Sequence, residues 1–295
     1  MSIAFSNNQN SYTLLDSGDG EKLERFGKYI LRRPAAQAVW KKTLDEHLWA
    51  NCYASFDRKS GKRWHGRNIL PESFTIEIDG MRFKLSGTDF GHLGIFPEQR
   101  EMWTWIRDVL QKAQIKRRQK EISVLNLFAY SGGSTLAALL AGAKVCHVDA
   151  SRGMISWAKE NIALNNLADA SVRFIVDDVI KFMKREKKRG NAYDAIILDP
   201  PTFGRGAQGE VYKIENDIIP TLELVQSLLS EKPLFILFSC HTPGFSPQVM
   251  ENLLQQLESK AQGKIEKGEM FLRGNKNVYS LPNGTWARWI AHDFI

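Results

Sequence analysis

Ser123-Val124-Leu125-Asn126-Leu127-Phe128-Ala129-Tyr130-Ser131-Gly132-Gly133-Ser134-Thr135 passes from a short apolar run, through a small-residue turn, into an alanine- and leucine-rich segment. Strand, glycine loop and helix in that order make a nucleotide-type pocket, where backbone amides at a helix start face the ligand. Gly132 and Gly133 tolerate positive φ and close approach of a ligand, and Ser131 or Ser134 is placed to cap a helix beginning near Thr135. The loop is not Gly-x-Gly-x-x-Gly and carries no Gly-Lys-Ser/Thr, so dinucleotide and phosphate-loop readings lose ground.

Working outward, the run Lys144-Val145-Cys146-His147-Val148-Asp149 ends in an acid about 20 residues on, where a carboxylate can accept both hydroxyls of a ribose. A third run, Val172 to Val176, ends in Asp177-Asp178, and a fourth, Ala195 to Leu198, ends in Asp199-Pro200-Pro201-Thr202-Phe203. Acids at the carboxyl ends of successive parallel strands line one crevice. The helix after Asp149 carries Met154, Trp157, Ala158, Ile162 and Leu164 at core-facing spacing. A fifth run, Leu234 to Phe238, ends at Ser239-Cys240-His241, and two alternating stretches follow it.

At Asn126-Leu127-Phe128-Ala129-Tyr130-Ser131-Gly132-Gly133, Asp149, Asn161, Asn165, Asp178 and Asp199-Pro200-Pro201-Thr202-Phe203, the chain resembles class I S-adenosylmethionine-dependent methyltransferases. It is similar in particular to the group of bacterial 23S ribosomal RNA methyltransferases that act on cytosine C5 or guanine N7. The resemblance covers roughly Gly91 to Leu257 and implies an α/β, Rossmann-like seven-stranded methyltransferase sheet with helices on both faces. It implies S-adenosylmethionine as cofactor, held by Asn126, Phe128, Tyr130, Ser131, Gly132, Gly133, Asp149, Asp177, Asp178 and Asp199. The stretch Gly91 to Arg100 is similar to one that faces the methionine end, which makes Arg100 a candidate for the ligand carboxylate; the other reading is a surface arginine at a helix start. Asn161 and Asn165 support the sheet in such enzymes.

Asp-Pro-Pro followed by an aromatic is the pattern of exocyclic-amine methyltransferases, with Pro200, Pro201 and Phe203 against the base. Thr202 intervenes here. Cys240 offers another acceptor: cytosine C5 becomes nucleophilic once a thiolate adds to C6, and the C5 enzymes of this group place that cysteine after the fifth strand. Asp199 and Cys240 are then the catalytic pair, cytosine C5 the favoured acceptor, and Asp199 supports charge on the ring nitrogen. Open beside this stand guanine or amine N-methylation without a covalent step, a non-catalytic cofactor- and RNA-binding protein, and an inert buried Cys240.

The 295 residues fit one large domain and an appendage, divided as 1–88, β-rich, and 89–295, catalytic. In the first, Tyr12 to Leu15 and Tyr29 to Leu31 predict strands around a turn at Asp16 to Gly20, and Pro34 predicts a helix start. Arg58 to Arg67 interleaves basic and aromatic residues, suited to phosphate and base contact or to a solvated hairpin tip. Asp79-Gly80 predicts a two-residue hairpin. Lys112 to Lys120 and Lys184 to Arg189 read as solvated faces, and Gly204 to Glu210 as a disordered loop. A net charge of +7 suits an RNA partner, 23S ribosomal RNA by the resemblance, in ribosomal RNA processing. Three scattered cysteines give no disulfide framework or zinc pattern, and no run is long enough to cross a bilayer, so a cytoplasmic protein without membrane or metal is expected.

Overall fold

The structure, a computed structural model, describes residues 11–57, 63–66, 70–117, 121–206, 209–257 and 262–294. The chain divides into two compact units, Met1–Arg100 with Phe271–Asn283, and Glu101–Met270 with Gly284–Ile295.

In the first unit, β1 (Tyr12–Gly18), β2 (Glu21–Phe26) and β3 (Tyr29–Pro34) form an antiparallel meander. After the short helix α1 (Glu46–Ala50), β4 (Ala54–Asp57) lies parallel to β3, and β5 (Arg63–His65) closes the five-stranded sheet. β6 (Phe74–Ile78) and β7 (Met81–Leu85) are the hairpin foreseen at Asp79-Gly80, whose φ angles of 51° and 77° are both left-handed, as a mirror-image turn requires.

One expectation fails here and another is narrowed. Pro34 ends a strand rather than starting a helix, and the turn lies at Asp19-Gly20 because β1 continues through Asp16. Buried Asp16 bears on the first. Its carboxylate accepts from Thr43 N at 2.9 Å, Thr43 Oγ1 at 2.7 Å, Leu44 N at 2.9 Å and Trp49 Nε1 at 3.1 Å, so a side chain satisfies backbone amides that a helix would otherwise pair. The run Arg58 to Arg67 lies largely outside the described residues.

The second unit opens on α2 (Arg100–Arg117), whose first residue is counted with the first unit, and which buries Met102, Trp103, Ile106, Val109, Leu110 and Ala113 along one stripe. Its sheet is built from β8 (Ser123–Leu127), β9 (Lys144–Asp149), β10 (Val172–Val176), β11 (Ala195–Leu198), β14 (Phe235–Cys240), β15 (Gly263–Leu272) and β16 (Leu281–Ala291). The order is β10-β9-β8-β11-β14-β16-β15; the first five are parallel and β16 runs antiparallel to β14. This is the seven-stranded α/β sheet that the sequence implied. Linking helices are α3 (Gly133–Leu140), α4 (Arg152–Leu164), α5 (Val179–Lys188), α6 (Ile214–Ser227) and α7 (Pro247–Gln255).

Chain order runs outward from β8 to β10 and then jumps back to β11 on the other side of β8. The carboxyl end of β8 is therefore the switch point where such sheets open a crevice. Gly204 to Glu210 is not a plain loop: β12 (Phe203–Arg205) pairs with β13 (Val211–Lys213), and residues 207–208 between them lie outside the described residues. Among the described residues, no helix is long and apolar enough to cross a membrane, and no cluster of His, Cys, Asp or Glu could hold a metal.

Candidate active site

The turn after β8 is strained. Phe128 and Tyr130 hold φ of 53° and 51° and Gly132 holds 90°, so left-handed residues alternate along it. Two of the three carry side chains, at a cost of order 1 kcal/mol each, which surrounding contacts must offset. Those contacts are present. Ala129 N donates to Val148 O at 3.1 Å, Tyr130 N to Asp149 Oδ2 at 2.9 Å, and fully buried Asn161 donates through Nδ2 to Ser131 O at 2.9 Å. The N-cap of α3 is Gly132, with no side-chain cap, so neither serine performs the expected role. Asn126 is buried below and donates to Thr135 Oγ1 at 2.8 Å.

Sheet register brings the strand-end acids side by side: Leu127 pairs with Val148 and Leu198, Val176 with Asp149, and Leu198 with Phe238. Asp149 accepts from Tyr130 N and, at 2.8 Å, from Ser151 N, which fixes its plane while each oxygen keeps a further lone pair. Burial pushes its pKa up, and the two amide bonds oppose that shift. Asp178 caps α5, accepting from Lys181 N at 2.8 Å, and Asp177 is ion-paired with Arg185.

On the other side of the switch point, Asp199 Oδ1 lies 3.4 Å from His241 Nδ1. Pro200 is buried, and Thr202, the residue that departs from the amine pattern, shares a 2.8 Å hydroxyl hydrogen bond with Thr242, tying the loops after β11 and β14 together. Phe203 is 49% exposed and begins β12, with the Arg205 guanidinium 5.6 Å from its ring centroid. Tyr212 of β13 packs edge-on against Phe128 at 5.0 Å, so the small hairpin rests on the strained turn. Cys240 ends β14 almost wholly buried; burial pushes its thiol pKa up, and Thr242 N donates to its sulfur at 3.4 Å. Arg100 is counted with the first unit, where Asp79 takes its guanidinium through two 2.5 Å contacts.

His241, Tyr212 and the loop-holding function of Asn161 were not legible beforehand. His241 directly follows the last residue of β14, and its ring lies toward Asp199, a placement that nothing in the sequence marks.

A glycine turn at the switch point, flanked by acids at the ends of β9, β10 and β11, defines an α/β protein that takes a nucleoside-bearing ligand. The family model for S-adenosylmethionine-dependent methyltransferases matches residues 11–249, and the chain belongs to that family. A "Ribosomal RNA large subunit methyltransferase K/L" of Shewanella oneidensis is 30% identical over 213 residues, 70% of this chain and 27% of that protein. The chain thus spans about a quarter of the length of such relatives. A "Ribosomal RNA large subunit methyltransferase I" of Erwinia tasmaniensis is 26% identical over 98% of this chain and 76% of its own length. Among solved structures, a SAM-dependent methyltransferase from Agrobacterium tumefaciens superposes with TM-score 0.88 at 36% identity, covering 95% of this chain and 90% of that one. A second structure, SMU.776 complexed with SAH, has TM-score 0.73 at 19% identity over 96% of this chain and 76% of its own, which bears on the fold alone.

Proposed function

We propose that this enzyme transfers a methyl group to a base of large-subunit ribosomal RNA. The reading rests on one observation above the others: the strained turn after β8 and the carboxylate of Asp149 are locked together by the Tyr130 amide, a preformed cradle at the switch point. The donor set suits S-adenosylmethionine. Asp149 would take the ribose hydroxyls, Asp178 the adenine amine through the oxygen not used for capping, and the Ser131-Gly132-Gly133 backbone at the start of α3 the methionine end. When bound, the cofactor supplies a methyl already activated on a sulfonium, and the protein has chiefly to align the acceptor. The two relatives named as large-subunit ribosomal RNA methyltransferases, together with the charge of +7, support RNA as the acceptor.

For the acceptor atom, the geometry favours a base held by Asp199, Pro200 and Phe203 without a covalent step. Asp199 is oriented toward His241 and Phe203 is exposed for stacking, whereas Cys240 is 1% exposed and its thiol is held protonated by burial, the opposite of an activated nucleophile. Cytosine C5 chemistry is the second reading, supported by Cys240 ending the strand directly beside that of Asp199. Mass spectrometry of nucleosides in large-subunit RNA from cells lacking the protein tests the whole proposal: one methylated nucleoside disappears, and an unchanged profile sinks it. A missing 5-methylcytidine, with a trapped adduct on 5-fluorocytosine RNA that Cys240→Ala abolishes, selects the second reading.

A further inference from the structure

His147 takes no part in the chemistry above, yet it lies beneath the turn that performs it. The side chain is 0% exposed, and the imidazole Cε1 lies 3.6 Å from where a Cβ on Gly132 would be. His147 and Asp149 are two residues apart on β9 and so face the same side of the sheet. Asp149 holds the amide N–H of Tyr130, and the backbone of Tyr130 interacts with the His147 ring. One strand thus addresses both ends of a left-handed tyrosine.

A hydrogen-bond network surrounds Nδ1 of the ring. Thr135 Oγ1 receives the Asn126 amide at 2.8 Å and lies 2.9 Å from His147 Nδ1. The hydroxyl can accept the Asn126 amide and give its own proton to the ring nitrogen, and in that arrangement Nδ1 accepts and Nε2 carries the hydrogen. Nε2 is buried and meets no partner in hydrogen-bond geometry among the described residues. A buried N–H left so is costly, and the Tyr130 carbonyl, whose backbone already acts on the ring, is the acceptor that would relieve that cost. Burial also lowers the ring's pKa to about 3, so the imidazole is neutral wherever the enzyme works.

We propose that His147 is a positioning residue for the methyl donor, whose Nε2–H donates a hydrogen bond to the Tyr130 carbonyl when the donor seats against the turn. The inference rests on the reading that this turn holds S-adenosylmethionine. Calorimetric titration with S-adenosylhomocysteine separates the two. Wild-type protein that fails to bind overturns the donor reading itself, and this proposal with it. If wild type binds, His147→Phe, which keeps a ring but loses both nitrogens, should bind at least tenfold more weakly with its fold retained by circular dichroism, and His147→Gln, which restores an N–H donor, should recover most of the loss. Wild-type affinity in His147→Phe, or equal losses in both variants, overturns the role. Should His147→Phe not fold, nitrogen-15 shifts of the wild-type ring decide: the Nε2–H tautomer should be present, with its proton moving downfield on ligand addition, and a ring indifferent to ligand refutes the proposal.

Discussion

Gly133 is the first residue of α3 and has no room for a side chain, because a Cβ there would lie 2.7 Å from a ring carbon of Trp103. Gly133→Ala should lower stability by about 1–3 kcal/mol, read as a lower urea midpoint at unchanged slope; an unaltered midpoint would mean that the indole yields freely. Of the two glycines, Gly132 alone uses left-handed freedom, with φ of 90°. Phe128 and Tyr130 adopt the same region without any residue type that announces it, so the loop was readable as a ligand loop but its strain was not. His147 was equally silent in sequence, lying inside an apolar run. Its depressed pKa nevertheless has a measurable sign. Below about pH 6.5 the unfolded chain protonates this histidine and the folded protein does not until about pH 3, so the unfolded state binds more protons and stability falls on acidification. Between pH 6.5 and 5 the wild type should lose roughly 1 kcal/mol per pH unit more than a folded His147→Phe variant, in parallel denaturant titrations. Superimposed curves would contradict a ring held neutral.

Elements followed the sequence where periodicity decided them and departed where one buried side chain did. The parallel strands were legible as apolar runs ending in acids, but the backbone at Thr43 and Leu44 is held by the carboxylate of Asp16, which no local pattern reveals. Lys184 to Arg189 likewise looked like a solvated face, yet Glu186 within it is fully buried, accepting from Tyr193 Oη at 2.7 Å and Asn191 Nδ2 at 2.8 Å. The same helix offers a clean test of a proposed ligand group. Asp178 caps α5, and asparagine caps as well as aspartate. Asp178→Ala should therefore cost about 1 kcal/mol while Asp178→Asn costs almost nothing. If the carboxylate also takes the adenine amine, both variants should bind S-adenosylhomocysteine more weakly. Wild-type affinity in Asp178→Asn would reduce Asp178 to a cap.

At the scale of the whole molecule, the chain does not keep its two compact units in consecutive pieces. Phe271–Asn283, from the last residues of β15 to the first of β16, returns to the unit formed by the first hundred residues. Sequence could not show this, because the segment carries no punctuation that distinguishes an excursion from an ordinary hairpin loop. Its consequence is physical. Leu272 and Leu281, at 1% and 0% exposure, share a core with Leu14, Ala35 and Ala38, and Leu14 N donates to Arg273 O at 3.3 Å. Removing residues 1–100 strips that core from both leucines, and burying a leucine is worth about 1.5–3 kcal/mol. The truncated chain, residues 101–295, should thus aggregate or unfold at temperatures where the full protein is monodisperse, as measured by light scattering during a thermal ramp. Replacing residues 271–283 by a short turn in the same truncation should restore solubility, since the exposed leucines leave with the excursion. A truncation that stays monodisperse with residues 271–283 intact would show that the core around Leu14 contributes nothing to holding them.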